Sequence, residues 1–315
     1  SEKAIVCWGD DAQGQSTAIP GSYQEVAAGG LHSCGLLTSD TAVCWGSNLY
    51  GQLDAPTDLL THITAGDYHT CGLRDDSTPV CWGSNAFGQL DAPDRAFMQI
   101  SAGDLHTCGV TPVHEVVCWG SDASGQSLVP GGTFLRVAAG EQHTCAVRAD
   151  GSIFCFGDDA YGQLQAPEGD FVDVAVGVAH SCGRLKTGAI ACWGINADGQ
   201  AADQDGTFVQ LAAGDYHTCA VDGEGGVLCF GRNTDGQTTV PPGLFTQVSA
   251  GNYHSCGLHD DGTIECWGFN LDGQSSAIEG VYIQVSAGGI HSCGLTADGA
   301  AVCWGSNLWG AIGSA

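Results

Sequence analysis

Cysteine in this chain falls on two rulers, and both have a spacing of 37 residues. One runs Cys34, Cys71, Cys108, Cys145, Cys182, Cys219, Cys256, Cys293. The other runs Cys7, Cys44, Cys81, Cys118, Cys155, Cys192, Cys229, Cys266, Cys303. No insertion or deletion breaks either series. One short unit is therefore repeated about eight and a half times. Such a unit cannot bury its own apolar face, so the repeats must stack on one another. Residues 1–315 are accordingly read as a single repeat domain.

The unit reads as strands. In residues 137–165, Val137-Ala138-Ala139 runs into Gly140, then come His143-Thr144-Cys145-Ala146-Val147 and Arg148-Ala149-Asp150-Gly151. The chain returns as Ser152-Ile153-Phe154-Cys155-Phe156-Gly157 and ends in Asp158-Asp159-Ala160-Tyr161-Gly162-Gln163-Leu164. Asp-Gly between two short runs is a hairpin signal. No segment offers a clean helical period of ten residues. Three or four short strands per unit, regularly spaced, predict an all-β propeller.

Glycine, tryptophan and histidine follow the same period. Gly29 opens one glycine series and Gly9 a second, and both point to positive φ or close strand approach at every repeat. The aromatic series runs Trp8, Trp45, Trp82, Trp119, Phe156, Trp193, Phe230, Trp267, Trp304, and its rings are expected to wedge between units. His32, His69, His106, His143, His180, His217, His254 and His291 are expected to be packed residues bonded to turn backbone between blades. His62, His114 and His259 fall outside this series and read as surface residues.

Within each unit the two cysteines stand ten residues apart across the hairpin. Opposed antiparallel positions are near disulfide distance. The expected pairs are Cys34–Cys44, Cys71–Cys81, Cys108–Cys118, Cys145–Cys155, Cys182–Cys192, Cys219–Cys229, Cys256–Cys266 and Cys293–Cys303. Zinc is the rival reading, because each full unit carries His-x-Cys and then a second Cys, as in His69, Cys71 and Cys81. Against it, the usual Cys-x(2–4)-Cys knuckle is missing and no fourth ligand recurs. Cys7 lacks a partner in this scheme and is free, intrachain or interchain.

Cysteine pairs at this density predict an oxidising compartment and a secreted, extracellular chain. Ser1 opens almost directly into repeat sequence, so the chain reads as a mature form with any export signal removed. No Asn-x-Ser/Thr sequon is present, and no apolar run approaches a membrane span. With 35 acidic and 8 basic residues the formal charge is -27. That excludes phosphate-backbone and anionic-membrane binding, which need lysine and arginine.

The unit pattern Ile63-Thr64-Ala65-Gly66-Asp67-Tyr68-His69-Thr70-Cys71-Gly72-Leu73, followed by Cys81-Trp82-Gly83-Ser84-Asn85-Ala86-Phe87-Gly88-Gln89-Leu90, resembles the RCC1 repeat family. The resemblance spans essentially the whole chain. It implies a bladed β-propeller, commonly of seven blades in the family. In unit length the chain is most similar to secreted bacterial members, among them a propeller-type β-lactamase inhibitor, which implies protein binding through loops on one face. Two departures stand beside it. The GTPase regulators of this family work at chromatin, which the charge opposes, and the inhibitor-like members lack the cysteine ladder.

Eight units fit the length best, with residues 1–18 as an N-terminal half-unit that duplicates the role of 297–315. Seven blades or an open superhelix are the alternatives. A surplus edge strand next to Cys7 would also allow strand exchange between chains and a filament.

Because scaffold residues recur, the informative positions are those that vary. Two residues before each recurring Gln stand Tyr50, Phe87, Tyr161 and Trp309, with Asp198, Asp235 and Asp272 in the later units. This predicts a loop face with aromatic anchors and an acidic rim. A second series, just before each His, contains Tyr68, Tyr216 and Tyr253, preceded by Asp67, Asp215 and Asn252. Such a ring would suit a glycan or peptide. Its acids would also suit Ca²⁺, though nothing matches the twelve-residue calcium loop. A catalytic site would need one nucleophile beside one base, and here nearly every His is a repeated scaffold residue. The expected function is a non-enzymatic binding protein for an extracellular protein. Lectin-like glycan binding and self-assembly are the alternatives.

Overall fold

The computed structural model describes residues 21–129 and 131–306, which form eight three-stranded antiparallel sheets. These blades occupy residues 23–46, 60–83, 99–120, 134–157, 171–194, 208–231, 245–268 and 282–305, numbered 1 to 8 below. Blade 4 is representative, with an inner strand Phe134–Ala139, a middle strand His143–Arg148 and an outer strand Ile153–Gly157. Each blade has three strands, the lower of the two numbers the sequence allows.

Burial explains the pattern. The middle strand is covered on both sides, so His143, Thr144, Cys145, Ala146 and Val147 are all buried. The inner strand buries Phe134 and Val137, three residues apart. A register shift between Phe134 and Arg136 lets both face the core. The core lies between blades: Cys108, Val110 and Val116 of blade 3 pack with Phe134, Val137 and Phe156 of blade 4. The recurring tryptophans are wedges of this kind, since Trp119 of blade 3 packs on Cys71 and Leu73 of blade 2.

Blade 8 packs against blade 1 through the same contacts, so the ring is closed with eight blades rather than seven and is not an open superhelix. Tyr23, Val26 and Trp45 share a core with Cys293, Leu295, Ala301 and Cys303. Tyr23 donates its N–H to the Gly299 carbonyl at 2.5 Å. Gln284 clamps the inner strand of blade 1, accepting from Val26 N–H at 3.2 Å and donating to its carbonyl at 3.1 Å. The half-unit 1–18, Cys7 and Trp309 lie outside the described residues.

All eight hairpin disulfides are present, from Cys34–Cys44 to Cys293–Cys303, with Cα atoms 4.0–4.1 Å apart. Cys145 and Cys155 are direct register partners, which is why the spacing works. These sixteen sulfurs are therefore not zinc thiolates.

The histidines correct one expectation. Their Nε2 atoms meet a side-chain hydroxyl of the next blade, not turn backbone. His32 meets Thr70 at 2.7 Å, His106 meets Thr144 at 2.7 Å, and His291 returns to Ser33 at 2.6 Å. Thr144 donates its own proton to the Gln126 carbonyl at 3.1 Å. Its oxygen therefore accepts from His106, which fixes the proton of that ring on Nε2. The same holds for His217 and His254, whose partners Ser255 and Ser292 donate to Gln237 and Gln274. His259 is a second correction: it stacks on Phe245, with centroids 4.0 Å apart, instead of standing free at the surface.

Glycine at the head of each turn is required by space. A Cβ on Gly66 would land on the carbonyl oxygen of Gly103, and one on Gly288 on that of Gly29. Eight such contacts pass around the axis, each glycine against the next. The second series is conformational, as at Gly157, where φ is 117°.

Candidate functional site

The turn between inner and middle strands carries these glycines to the axis. There they line a cavity of about 290 Å³ together with the residue that follows each of them. That residue is Gly30, Asp67, Asp104, Glu141, Val178, Asp215, Asn252 and Gly289 in blade order. Four carboxylates thus share one mouth, and three depart from ordinary behaviour. Burial, followed by the neighbouring carboxylates Asp67, Glu141 and Asp215, holds the Asp104 carboxyl well above the usual carboxylate range. Burial and then Glu141 raise Asp67. Asp215 is pushed up to about 7 by burial and then by Asp67 and Glu141. Among the described residues no group of three or more His, Cys, Asp or Glu is placed to hold a metal ion.

The loop after each outer strand returns to this same end of the ring, because Ser84 donates to the Tyr68 carbonyl and Asp158 to that of Gln142. Both variable series therefore lie on one face. A buried glutamine holds each loop from beneath. Gln52, Gln89 and Gln163 accept the backbone N–H of Tyr50, Phe87 and Tyr161, each at 2.8 Å. Gln200, Gln237 and Gln274 do the same for Asp198, Asp235 and Asp272. The scaffold fixes the backbone and leaves the side chain free to vary.

Tyr50, Phe87 and Tyr161 are 55%, 53% and 58% exposed. Only the first joins a partner from the second series: its ring stands edge-on to Tyr68, with centroids 5.7 Å apart. Across the ring, Tyr216 and Tyr253 stack at 6.2 Å, Phe269 packs on Tyr253 at 6.4 Å, and the Arg232 guanidinium lies 5.4 Å over Tyr216. Asp198, Asp235 and Asp272 are exposed on the loops of blades 5, 6 and 7. Phe87 and Tyr161 belong to neither aromatic cluster. Phe269 and Arg232 were not among the sequence candidates. Both stand at one repeat position, which is Ser47, Ser84, Ser121 and Ser306 in other units, so the period could have marked them, but only the folded ring brings them to the tyrosines.

The likeness to known proteins runs the length of the ring. The repeat described as "Regulator of chromosome condensation (RCC1) repeat" matches residues 23–52, 60–89, 99–126, 134–163, 171–200, 208–237, 245–274 and 282–308. Among solved structures, the CRINKLY WD40 ectodomain of the Arabidopsis thaliana receptor kinase ACR4 is 26% identical, with a TM-score of 0.64. It covers 94% of this chain and 100% of its own. The ectodomain of the Physcomitrella patens receptor kinase CR4 is 28% identical, with a TM-score of 0.61 over 91% of this chain and 75% of its own. Prp20p of Saccharomyces cerevisiae, at 16% identity and a TM-score of 0.58, covers 92% of this chain and 90% of its own, and shares the fold alone. The resemblance to bacterial propeller inhibitors is not carried by these structures. No curated protein matches the sequence. Eight matched repeats, each folded as one blade of a closed ring, establish that this chain belongs to the RCC1 repeat family.

Proposed function

We propose that this chain is a secreted, non-enzymatic propeller that holds a protein partner on the face carrying the variable loops. The observation that carries the reading is the contact between Tyr50 and Tyr68. The two variable series meet there, exposed Tyr50 against half-buried Tyr68, beside an acidic axial mouth. Aromatic clusters of this type make binding hot spots, and a rim of carboxylates selects and steers a basic partner. Eight disulfides and the likeness to two receptor ectodomains support an extracellular setting.

A pull-down from extracellular fluid, run beside a glycan array, tests the reading. A captured protein whose affinity falls by roughly 2 kcal/mol or more in a Tyr50→Ala/Tyr68→Ala variant supports it. Unchanged affinity removes the pair from the site. Glycan binding abolished by Tyr216→Ala instead favours a lectin, a reading that the stacked Tyr216 and Tyr253 supply. The filament reading rests on residues 1–18. Light scattering with and without reductant, on the full chain and on one lacking 1–18, decides it.

A further inference from the structure

Eight lysines and arginines serve 315 residues, and four of them, Arg136, Arg148, Arg184 and Lys186, fall in blades 4 and 5. Three of the four line one groove of about 680 Å³ with Met98, Leu135 and Val172. The groove lies where the inner strands of blades 3 to 5 begin. The aromatic loops and the acidic mouth lie where those strands end, about 20 Å away for six residues of strand. A local cluster of cations thus lies on the face opposite the acidic mouth.

Arg136 departs from the scaffold. At the equivalent position Gln99, Gln210, Gln247 and Gln284 reach sideways and bond both the N–H and the carbonyl of the next inner strand. Arg136 has no such bond to blade 5 and no ion pair among the described residues. A sideways clamp is given up, and an exposed guanidinium stands in the groove instead. Arg148 is held in place: its guanidinium lies 4.7 Å over Phe154 and 5.7 Å over Phe134. Lys186 faces Asp170 at 3.8 Å, the one carboxylate that lines the groove, while Asp150 stands near Arg148 at the hairpin turn. Met98, Leu135 and Val172 repeat at one position of successive blades and form an apolar stripe beside these cations. Met98 is 51% exposed and Leu135 is 49% exposed.

We infer that this groove receives a segment of a partner protein in which carboxylates alternate with apolar side chains. The guanidiniums of Arg136 and Arg148 offer the planar, forked donors that a carboxylate accepts. The stripe takes the apolar side chains between them. A long polyanion is disfavoured, because a net charge of -27 would oppose it along its length. A short segment feels charges only within about 8 Å at physiological salt. The inference is independent of the loop-face reading, since no residue is shared.

A random peptide display library panned on the intact protein tests it, each selected clone being re-measured as a fluorescent peptide by anisotropy. Arg136→Glu is the key variant, because the side chain is exposed and bonded to nothing inside; far-UV circular dichroism checks its fold. Acidic, apolar peptides that lose at least tenfold affinity in Arg136→Glu and in Leu135→Asp, yet bind a Tyr50→Ala/Tyr68→Ala variant normally, are the expected result. Selected peptides that are all insensitive to Arg136→Glu would overturn the inference. So would sensitive peptides that are basic or lack apolar residues. A heparin hexasaccharide that binds in an Arg136-dependent way, with no peptide doing so, would assign the groove to an anionic glycan instead.

Discussion

Ser33 of the first blade meets His291 of the last, Oγ to Nε2, at 2.6 Å. The bond repeats between blades the contact that joins His106 to Thr144 at 2.7 Å. His291→Ala should therefore destabilise the protein as much as His106→Ala, by about 2–4 kcal/mol, since each leaves a buried hydroxyl short of a partner and opens a cavity. Urea denaturation of the two variants measures it. A negligible cost at His291 alone would mean that the ring does not close in solution.

The hairpin turns predict a gain. Gly151, Gly188, Gly225, Gly262 and Gly299 have φ between 84° and 95° at one repeated turn position, where Asp40, Ser77 and His114 also adopt φ of 63–66°. A serine gains nothing from that conformation, while Asp40 accepts a bond from Gln24 and His114 is bonded to the Phe134 carbonyl. Ser77→Gly should raise stability by about 0.5–1 kcal/mol. Thermal unfolding of this single variant checks the sign.

Much of this was legible because the repeat reports its own scaffold. Cys145 and Cys155 show their pairing by being centred on Asp150, and Trp119 shows its wedge by recurring in the cores. The histidine partners were written in the sequence too, as the Ser or Thr after each His. The bond, however, runs from His106 to Thr144 in the next unit, a relation that no single unit displays. The groove was not legible for a similar reason. Met98, Leu135 and Val172 are distant in sequence and become one stripe only when three inner strands stand side by side. The sequence did place Tyr50 and Tyr68 in two separate series, and the ring joins them across blades 1 and 2.

Acidity should act on the buried histidine belt and on the half-buried axial carboxylates in opposite directions. Burial lowers His32 to about 4 and His291 to about 3, below the ordinary 6.5. The unfolded chain then binds more protons between those values, so this stability is complete above pH 6.5 and is lost as pH falls toward 4. Asp215 is raised from 3.8 to about 7, so the folded state binds more protons, and its carboxylate weakens the fold as pH rises through 7. Asp215→Asn should therefore stabilise at pH 8, by about 1–2 kcal/mol after allowance for solvent, and the gain should vanish near pH 4. Urea midpoints from pH 4 to 8 separate the two limbs.

Each disulfide closes its own hairpin, as Cys145–Cys155 does within blade 4. Replacing both cysteines of that pair by alanine should cost about 2–3 kcal/mol and leave the other seven bonds intact. Peptide mapping of the unreduced protein by mass spectrometry gives the pairing, and denaturation gives the cost. Any linkage between blades would contradict the hairpin frame.

Closure by His291 and Ser33 also decides how the structure can come apart. A linear stack of repeats frays inward from its ends, and its outermost members need polar caps. This ring has no outermost member. Losing any one blade exposes the flanks of two others at once, so partial unfolding has no cheap first step. Proteases and heat should then meet a molecule that stays whole until it fails everywhere, even though no disulfide among its described residues ties one blade to the next.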